Sequence, residues 1–295
     1  MKNILVVGAG LAGSVVSREL ADAGYTVTVI DRRDHIAGNC YDYTNEYGIR
    51  VHKYGPHIFH TNNKEVVDWL FKFGEWVEYH HKIKAQLSNG QYVTFPVNKE
   101  TTEIVGKDNI VDTFFRPYTK KMWDKEIEEL DPSILQRLPI RDDMGELYFA
   151  NDQYQFLPKD GYTKVIENVL DHRGITVKLN VDYSKDMNTS YDFVFNSMPI
   201  DEYFDYCFGE LPYRSMKFHT VTLPMAKVLP TPAVNFTHSG PYTRMSEWKN
   251  FPEHGENSCY TTVTYEEPCD YKDNNLERYY PVKDLNNTNR EVYKQ

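Results

Sequence analysis

Residues 2–31 read KNILVVGAGLAGSVVSRELADAGYTVTVID, and this stretch decides the fold. Lys2 to Val7 is an apolar run of strand length, followed at once by Gly8-Ala9-Gly10-Leu11-Ala12-Gly13. A helical pattern comes next, with Leu11, Val15, Val16 and Leu20 on one side. Gly24, a second strand over Thr26 to Ile30, and Asp31 complete a strand–turn–helix–strand–acid unit. In such a unit Gly8 allows a tight turn, Gly10 lets a pyrophosphate approach the backbone, and Gly13 lets the helix pack close to the strand. The helix N-terminus offers free N–H groups and partial positive charge to phosphates. Asp31 is placed to accept hydrogen bonds from ribose hydroxyls. These features together predict a dinucleotide containing ADP-ribose on an α/β, Rossmann-like domain.

The bulk properties narrow the class. A chain of 295 residues with 40% hydrophobic and 14% aromatic content supports a sizeable core and two joined domains. The formal net charge of -10 argues against nucleic acid as a partner, because that partner needs basic surface. Cys40, Cys207, Cys259 and Cys269 form no CxxC pair, so a zinc or redox site has no support. Three histidines crowd His52-Lys53-Tyr54-Gly55-Pro56-His57-Ile58-Phe59-His60-Thr61, but no carboxylate or Cys completes a ligand set. No metal is expected. No apolar run approaches the roughly 20 residues of a membrane span, and a strand begins at the N-terminus where a signal peptide would lie. A cytoplasmic protein without a membrane partner is the expectation.

Further along, Lys64 to Lys72 reads as a short helix with Val66, Val67, Leu70 and Phe71 inward. Two strands, Val77 to Leu87 and Tyr92 to Val97, flank Asn89-Gly90, a strong hairpin signal. Asp108 to Glu129 is helical in pattern, and Pro117 is expected to kink or break it; Pro132 and Pro139 mark a return to irregular chain. Arg141 to Pro158 reads as an aromatic loop. Gly161 to Gly174 reads as an amphipathic helix stopped by Gly174. Ile175 to Leu179 and Phe193 to Ser197 read as strands returning to the first domain, and strands alternate with proline-bearing loops from Lys217 to Gln295.

Ten stretches in order resemble UDP-galactopyranose mutase. They are GAGLAG at Gly8, RRDHIAGNCYD at Arg32, HKYGPHIFHT at His52, PYTKKMW at Pro117, LPIR at Leu138, FLPKDGYTKVIE at Phe156, YRSMKF at Tyr213, VNFT at Val234, PYTR at Pro241 and RYYPV at Arg278. The resemblance implies a Rossmann-like FAD-binding domain interleaved with a small helical domain and an antiparallel β-sheet substrate domain. The expected division is 1–76 with returns near 161–200, then 77–160, then 201–295. It implies FAD at Gly8, Gly10, Gly13, Asp31, Arg32, Gly38, Asn39, His57 and His60. It implies that Phe114, Thr119 and Trp123 hold uridine, although residues alone would read these as a helix core face. Tyr154, Gln155, Asn235, Glu266 and Tyr280 match further substrate positions. Arg141, on a mobile loop, and Arg244 match a diphosphate clamp, which suits the bidentate guanidinium.

The activity implied is the interconversion of UDP-galactopyranose and UDP-galactofuranose, with UDP-arabinose as a related sugar. Reduced FAD attacks sugar C1 through N5, UDP leaves and returns, and the cycle is redox-neutral once NAD(P)H or another donor has reduced the flavin. His60, Arg141 and Arg244 are the expected catalytic residues, in a homodimer. Two alternatives are a relative that binds FAD or a UDP-sugar without mutase activity, and an amine-oxidase-like flavin oxidoreductase. The chain departs from the resemblance in a short Val97–Phe114 segment, in Asn196-Ser197-Met198-Pro199 where a Gly precedes the Pro, and in lacking a later Gly-Arg and Tyr-x-Asp-Met-type segment. These departures predict either a compact variant with a different closure or a split or truncated gene.

Overall fold

The computed structural model describes residues 2–131, 140–282 and 288–294; Pro132 and Pro139 lie outside them. Strands β1 (Asn3–Val7) and β2 (Thr26–Asp31) pair in parallel, joined through helix α1 (Leu11–Asp22). Gly24 turns the chain between α1 and β2 at φ +90°. The helix does not bury the face its large residues suggest. Leu11 is 43% exposed, while Gly13, Ser14, Ser17 and Ala21 are buried. Small residues face the sheet because the helix lies close to it: a Cβ on Gly13 would stand 1.9 Å from the Gly8 carbonyl oxygen.

Two short elements follow, β3 (Asp42–Thr44) paired with β4 (Arg50–His52). Then come β5 (Phe59–Thr61), α2 (Lys64–Leu70), β6 (Trp76–Glu78), β7 (Ile83–Gln86), β8 (Tyr92–Phe95), α3 (Lys99–Val105), α4 (Arg116–Trp123), β9 (Tyr154–Pro158) and α5 (Tyr162–Leu170). The chain re-enters the first sheet with β10 (Ile175–Leu179) and β11 (Phe193–Asn196), giving the parallel order β10-β2-β1-β11. After α6 (Ile200–Tyr203) come β12 (Tyr213–Leu223), β13 (Ala233–Phe236), β14 (Arg244–Glu247), β15 (Thr261–Asp270), β16 (Tyr280–Pro281) and α7 (Thr288–Lys294).

Several local expectations are corrected. The Val77–Leu87 strand is two strands in different sheets, because β6 pairs with β9 while β7 pairs with β8 and, in parallel, with β13. The 141–158 stretch is not all loop: Tyr154–Pro158 is β9, the centre of the sheet β5-β9-β6. On α2, Val67 and Leu70 are buried but Val66 and Phe71 are exposed, and Phe71 stacks on Trp76. The 108–129 pattern is split. Val111–Phe115 winds as a π-helix, and α4 starts at Arg116. The helix thus changes type beside Pro117, which lacks an N–H and lies in the first turn of α4, while the Arg116 N–H still bonds the Val111 carbonyl of the π-helix.

Helix α5 stops at Leu170, four residues before Gly174. Its start is capped from far away. The Asp42 carboxylate accepts from the Tyr162 N–H at 2.8 Å and the Thr163 N–H at 2.9 Å. Gly161, at φ +91°, leaves room for that carboxylate, since a Cβ there would meet Asp42 Oδ2 at 2.5 Å.

The largest sheet runs β16-β12-β15-β14-β13-β7-β8 and is antiparallel apart from β7 beside β13. The 83–95 hairpin thus joins the sheet built by residues after 212. Register sets one row of residues across it: Ala85 beside Asn235, Asn235 beside Arg244, Arg244 beside Glu266, and Glu266 beside Phe218. Laterally paired residues point to the same face. Helix α4 packs on this face, with Met122 and Trp123 against Met216 and Phe218.

Candidate active site and cofactor cradle

The glycine cradle is built as the motif requires. Gly8 adopts φ +104°, a conformation L side chains rarely take, and a Cβ there would overlap the Ser197 hydroxyl. A Cβ on Gly38, at φ +53°, would stand 2.9 Å from Gly10 Cα. Two backbone segments thus meet without side chains between them, and the residues at 10 and 37 form a bridge. Helix α1 has no side-chain N-cap and no acid in its first turn, so its N-terminal dipole is open to an anion. The residues present fit an adenine dinucleotide diphosphate such as that of FAD.

Asp31 stands at the end of β2. One carboxylate oxygen accepts from the Ala9 N–H at 2.7 Å and the other from the Arg33 N–H at 2.9 Å. It organises the cradle loop and retains lone-pair directions for a further donor. Arg33 reaches Glu277 and also donates to Asn39 Oδ1 at 2.9 Å, with its guanidinium 4.6 Å from the Tyr54 ring centroid. Arg32 lies further from Glu277, at 3.8 Å, and is exposed. The Arg33–Glu277 pair ties the first sheet to the C-terminal part of the chain. Met198 is half-buried, and its N–H donates to Asn196 Oδ1 at 2.9 Å.

A second feature is a cavity of about 240 Å³, whose walls include His57, His60, His81, Tyr148, Phe149 and Arg244. His57 and His60 come from the HKYGPHIFHT stretch. His60 Nδ1 lies 2.6 Å from Asp152 Oδ2, and its ring stacks on Phe149 with centroids 3.6 Å apart. His57 Nδ1 bonds the Gly55 carbonyl at 2.9 Å. Burial lowers the pKa of His57, against the opposing pull of that carbonyl. The backbone N–H of His57 donates to His52 Nδ1 at 3.2 Å, and His52 Nε2 lies 3.0 Å from His254 Nε2. His254 Nδ1 faces the Pro252 carbonyl at 2.7 Å. A carbonyl only accepts, so His254 carries its proton on Nδ1 and His52 carries its own on Nε2. Burial lowers both pKa values, His254 to about 4. Two neutral imidazoles therefore anchor the His57 backbone.

Arg244 is held from both sides. Nε donates to Asn235 Oδ1 at 3.0 Å, and Nη1 lies 3.7 Å from Glu266 Oε1. Burial opposes its charge, but Glu266 and the phenols of Tyr148, Tyr118 and Tyr280 outweigh it and raise its pKa above the ordinary value. Arg141 sits at the edge of the same region: Nη2 donates at 3.3 Å to the carbonyl of Tyr148. Gln155 is paired with His60 in register and donates to the carbonyls of Phe149 and Asp152, both at 2.9 Å. Tyr154 is half-buried beside Thr61. Tyr280 pairs with Arg214 at the edge of the large sheet. Burial, then Glu266 and Tyr118, raise its pKa.

The three residues expected to hold uridine are buried. Phe114 packs with Phe95, Ile83 and Ile110, whereas Trp123 packs with Met122, Leu130 and Met216. Thr119, on α4, is also buried. Among the described residues, four of the expected substrate contacts hold a buried polar atom without a hydrogen-bond partner: Trp123 Nε1, Arg141 Nη1, Gln155 Oε1 and Glu266 Oε1. Native proteins leave few such atoms; the other described residues that hold one are Trp76, Tyr162, Asn196, Ser246 and Arg278.

His81, Tyr148 and Phe149 were not singled out by sequence reasoning. His81 is buried, its Nδ1 lies 2.8 Å from the Tyr79 hydroxyl, and burial with Arg244 and His60 lowers its pKa to about 3. The only signal was the pair His80-His81 in a strand-like run, and periodicity does not show which of two adjacent residues faces a cavity. Among the described residues no cluster of three or more His, Cys, Asp or Glu could hold a metal, and no helix is long and apolar enough to cross a membrane.

Residues 6–73 match the NAD(P)-binding Rossmann-like domain family, and residues 113–295 match the family described as UDP-galactopyranose mutase. A Klebsiella pneumoniae protein named "Probable UDP-galactopyranose mutase" is 34% identical over 96% of this chain and 82% of its own length. An Escherichia coli dTDP-fucopyranose mutase is 33% identical over 96% of this chain and 85% of its own. A crystal structure of reduced UDP-galactopyranose mutase superposes with a TM-score of 0.70 at 15% identity, covering 96% of this chain and 76% of that one. The fold, the family match over residues 113–295 and these relatives agree, and the chain belongs to the UDP-galactopyranose mutase family.

Proposed function

We propose that this chain is a flavin-dependent mutase that interconverts UDP-galactopyranose and UDP-galactofuranose without net redox change. The observation that carries the proposal is that three residues with an orphaned polar atom adjoin the lining of a cavity walled by Arg244 and three histidines: Glu266 stands beside Arg244, Arg141 bonds the Tyr148 carbonyl, and Gln155 pairs with His60. Gly8, Gly10, Gly13, Gly38, Asn39, Asp31 and Arg32 would hold FAD, and His57 and His60 would face its ring system. When bound and reduced, by NAD(P)H or another donor, FAD supplies the nucleophile that exchanges with UDP at the anomeric carbon.

The protein's own contribution is binding and charge. As the C1–O bond breaks, negative charge builds on the diphosphate, and Arg141 and Arg244 neutralise it and retain the departing UDP. Arg244 is a permanent cation, and Glu266 beside it favours that charge. Glu266 also cancels much of that charge, so Arg141 carries the larger uncompensated share; among the described residues no carboxylate pairs with it. Trp123 and Thr119 would hold the uridine, Asn235 fixes the Arg244 guanidinium, and the Phe149–His60–Asp152 stack fixes one cavity wall. His81 stays neutral and adds no second cation beside Arg244.

The test is direct. The purified protein is reduced with dithionite, given UDP-galactopyranose, and the mixture is resolved by chromatography. Formation of the furanose supports the proposal. Full flavin loading and tight UDP binding without any furanose would replace it with the non-mutase reading. A parallel incubation with dTDP-fucopyranose tests the nucleotide sugar in the name of the Escherichia coli relative.

A further inference from the structure

Lys121 lies on α4 between Thr119 and Trp123, yet its side chain serves another element. Its half-buried ammonium donates to the carbonyl oxygens of Phe236 at 2.9 Å, His238 at 3.0 Å and Tyr242 at 3.0 Å. These carbonyls belong to the turn that joins β13 to β14. Asn235 and Arg244, paired across that hairpin, bracket the turn. An ammonium has three N–H donors, and all three are spent here on one loop. Among the described residues no carboxylate pairs with it, and burial pulls the Lys121 pKa down to about 8. A solvated salt-bridging lysine would sit differently, as Lys120 does at 3.1 Å from Glu126.

We propose that Lys121 is a positioning residue of the mutase site, fixing the β13–β14 turn to α4 and so setting the spacing between the uridine-contacting helix and the Arg244 guanidinium. The inference rests on the functional reading above. One nucleotide must reach Thr119 and Trp123 with its base and Arg244 with its diphosphate. A misplacement of about 1 Å between binding groups can cost about a hundredfold in rate. A compact ammonium can satisfy three converging carbonyls, whereas the planar fork of Arg cannot present the same tripod.

The test uses the flavin-loaded full chain, with UDP titrated by calorimetry and turnover measured in parallel. Lys121→Met is expected to weaken UDP binding about tenfold and to raise KM by a similar factor, with kcat less affected and flavin content unchanged. Lys121→Arg, which keeps the charge, is expected to weaken UDP about threefold. Lys120→Met serves as the control and should match wild type. If Lys121→Met fails to fold, Lys121→Arg decides alone. Binding within twofold of wild type, with only the melting temperature lowered, would assign Lys121 to the fold and overturn the proposal. A wild-type protein that ignores UDP would overturn the functional reading and this proposal with it.

Discussion

Replacing Arg244 with Ala removes the one ion-pair partner that Glu266 has among the described residues. Glu266 is 6% exposed, so its carboxylate cannot turn to water. Breaking a buried pair by removing one partner costs about 3–5 kcal/mol. The lower end applies here, because the Nη1–Oε1 separation of 3.7 Å is longer than a hydrogen bond. The expected loss of stability is therefore about 3 kcal/mol. Adding Glu266→Gln removes the stranded charge and should recover at least half of that loss. The two variants should nevertheless share one functional defect. Loss of a charged contact to the diphosphate costs about 1.5–3 kcal/mol, which weakens UDP roughly ten- to hundredfold. Urea unfolding followed by tryptophan fluorescence gives the stabilities, and calorimetry gives the UDP affinities. Flavin absorbance should be unchanged and turnover abolished in both. A double variant that is stable and binds UDP as wild type does would refute the diphosphate clamp. Failure of Glu266→Gln to restore stability would refute the buried-pair account.

Three further outcomes follow from the geometry. Buried His254 and His81 have folded-state pKa values lowered from 6.5 to about 4 and about 3, so the unfolded chain binds more protons as the pH falls below 6.5. Stability should hold above pH 6.5 and decline toward pH 4, by about 3 kcal/mol per histidine at pH 4.5; a flat urea midpoint from pH 7 to 4.5 would contradict this. Gly13→Ala places a Cβ 1.9 Å from the Gly8 carbonyl oxygen, and overpacking of this kind costs about 1–3 kcal/mol or more. The purified variant should lack flavin colour, and retention of full colour would show that the cradle can relax. Asp42→Ala removes the remote cap of α5 and should cost about 1–2 kcal/mol in thermal or urea unfolding, with UDP affinity unchanged.

Most of the first domain was legible because its signals are local. The Gly8–Gly13 turn, the helix after it and Asp31 lie within one βαβ unit, where φ/ψ demands and short-range periodicity leave their mark on composition. The stretches at 175–179 and 193–197 read as strands returning to the first sheet, and β10 and β11 are such strands, although nothing in them shows their order in the sheet. The errors share one cause: contacts between distant segments override local pattern. The apolar residues of α1 suggested a Leu11 face, but closeness to the sheet required small side chains. Val77–Leu87 looked like one strand, but β6 and β7 were claimed by different partners. The α5 cap came from Asp42, 120 residues before Tyr162.

The sequence by itself determined the dinucleotide cradle, the family resemblance and the residue types that a diphosphate ligand needs, since these are written in short motifs. Only the tertiary structure decided that Asn235, Arg244 and Glu266 stand side by side, because strand register is fixed by sheet pairing between β13, β14 and β15. Only it placed His81 beside Arg244 and His60 and set Lys121 on the turn between Asn235 and Arg244. Those positions follow from how the hairpin at 83–95 and α4 pack onto the large sheet, and such long-range packing leaves no periodicity in the chain to read.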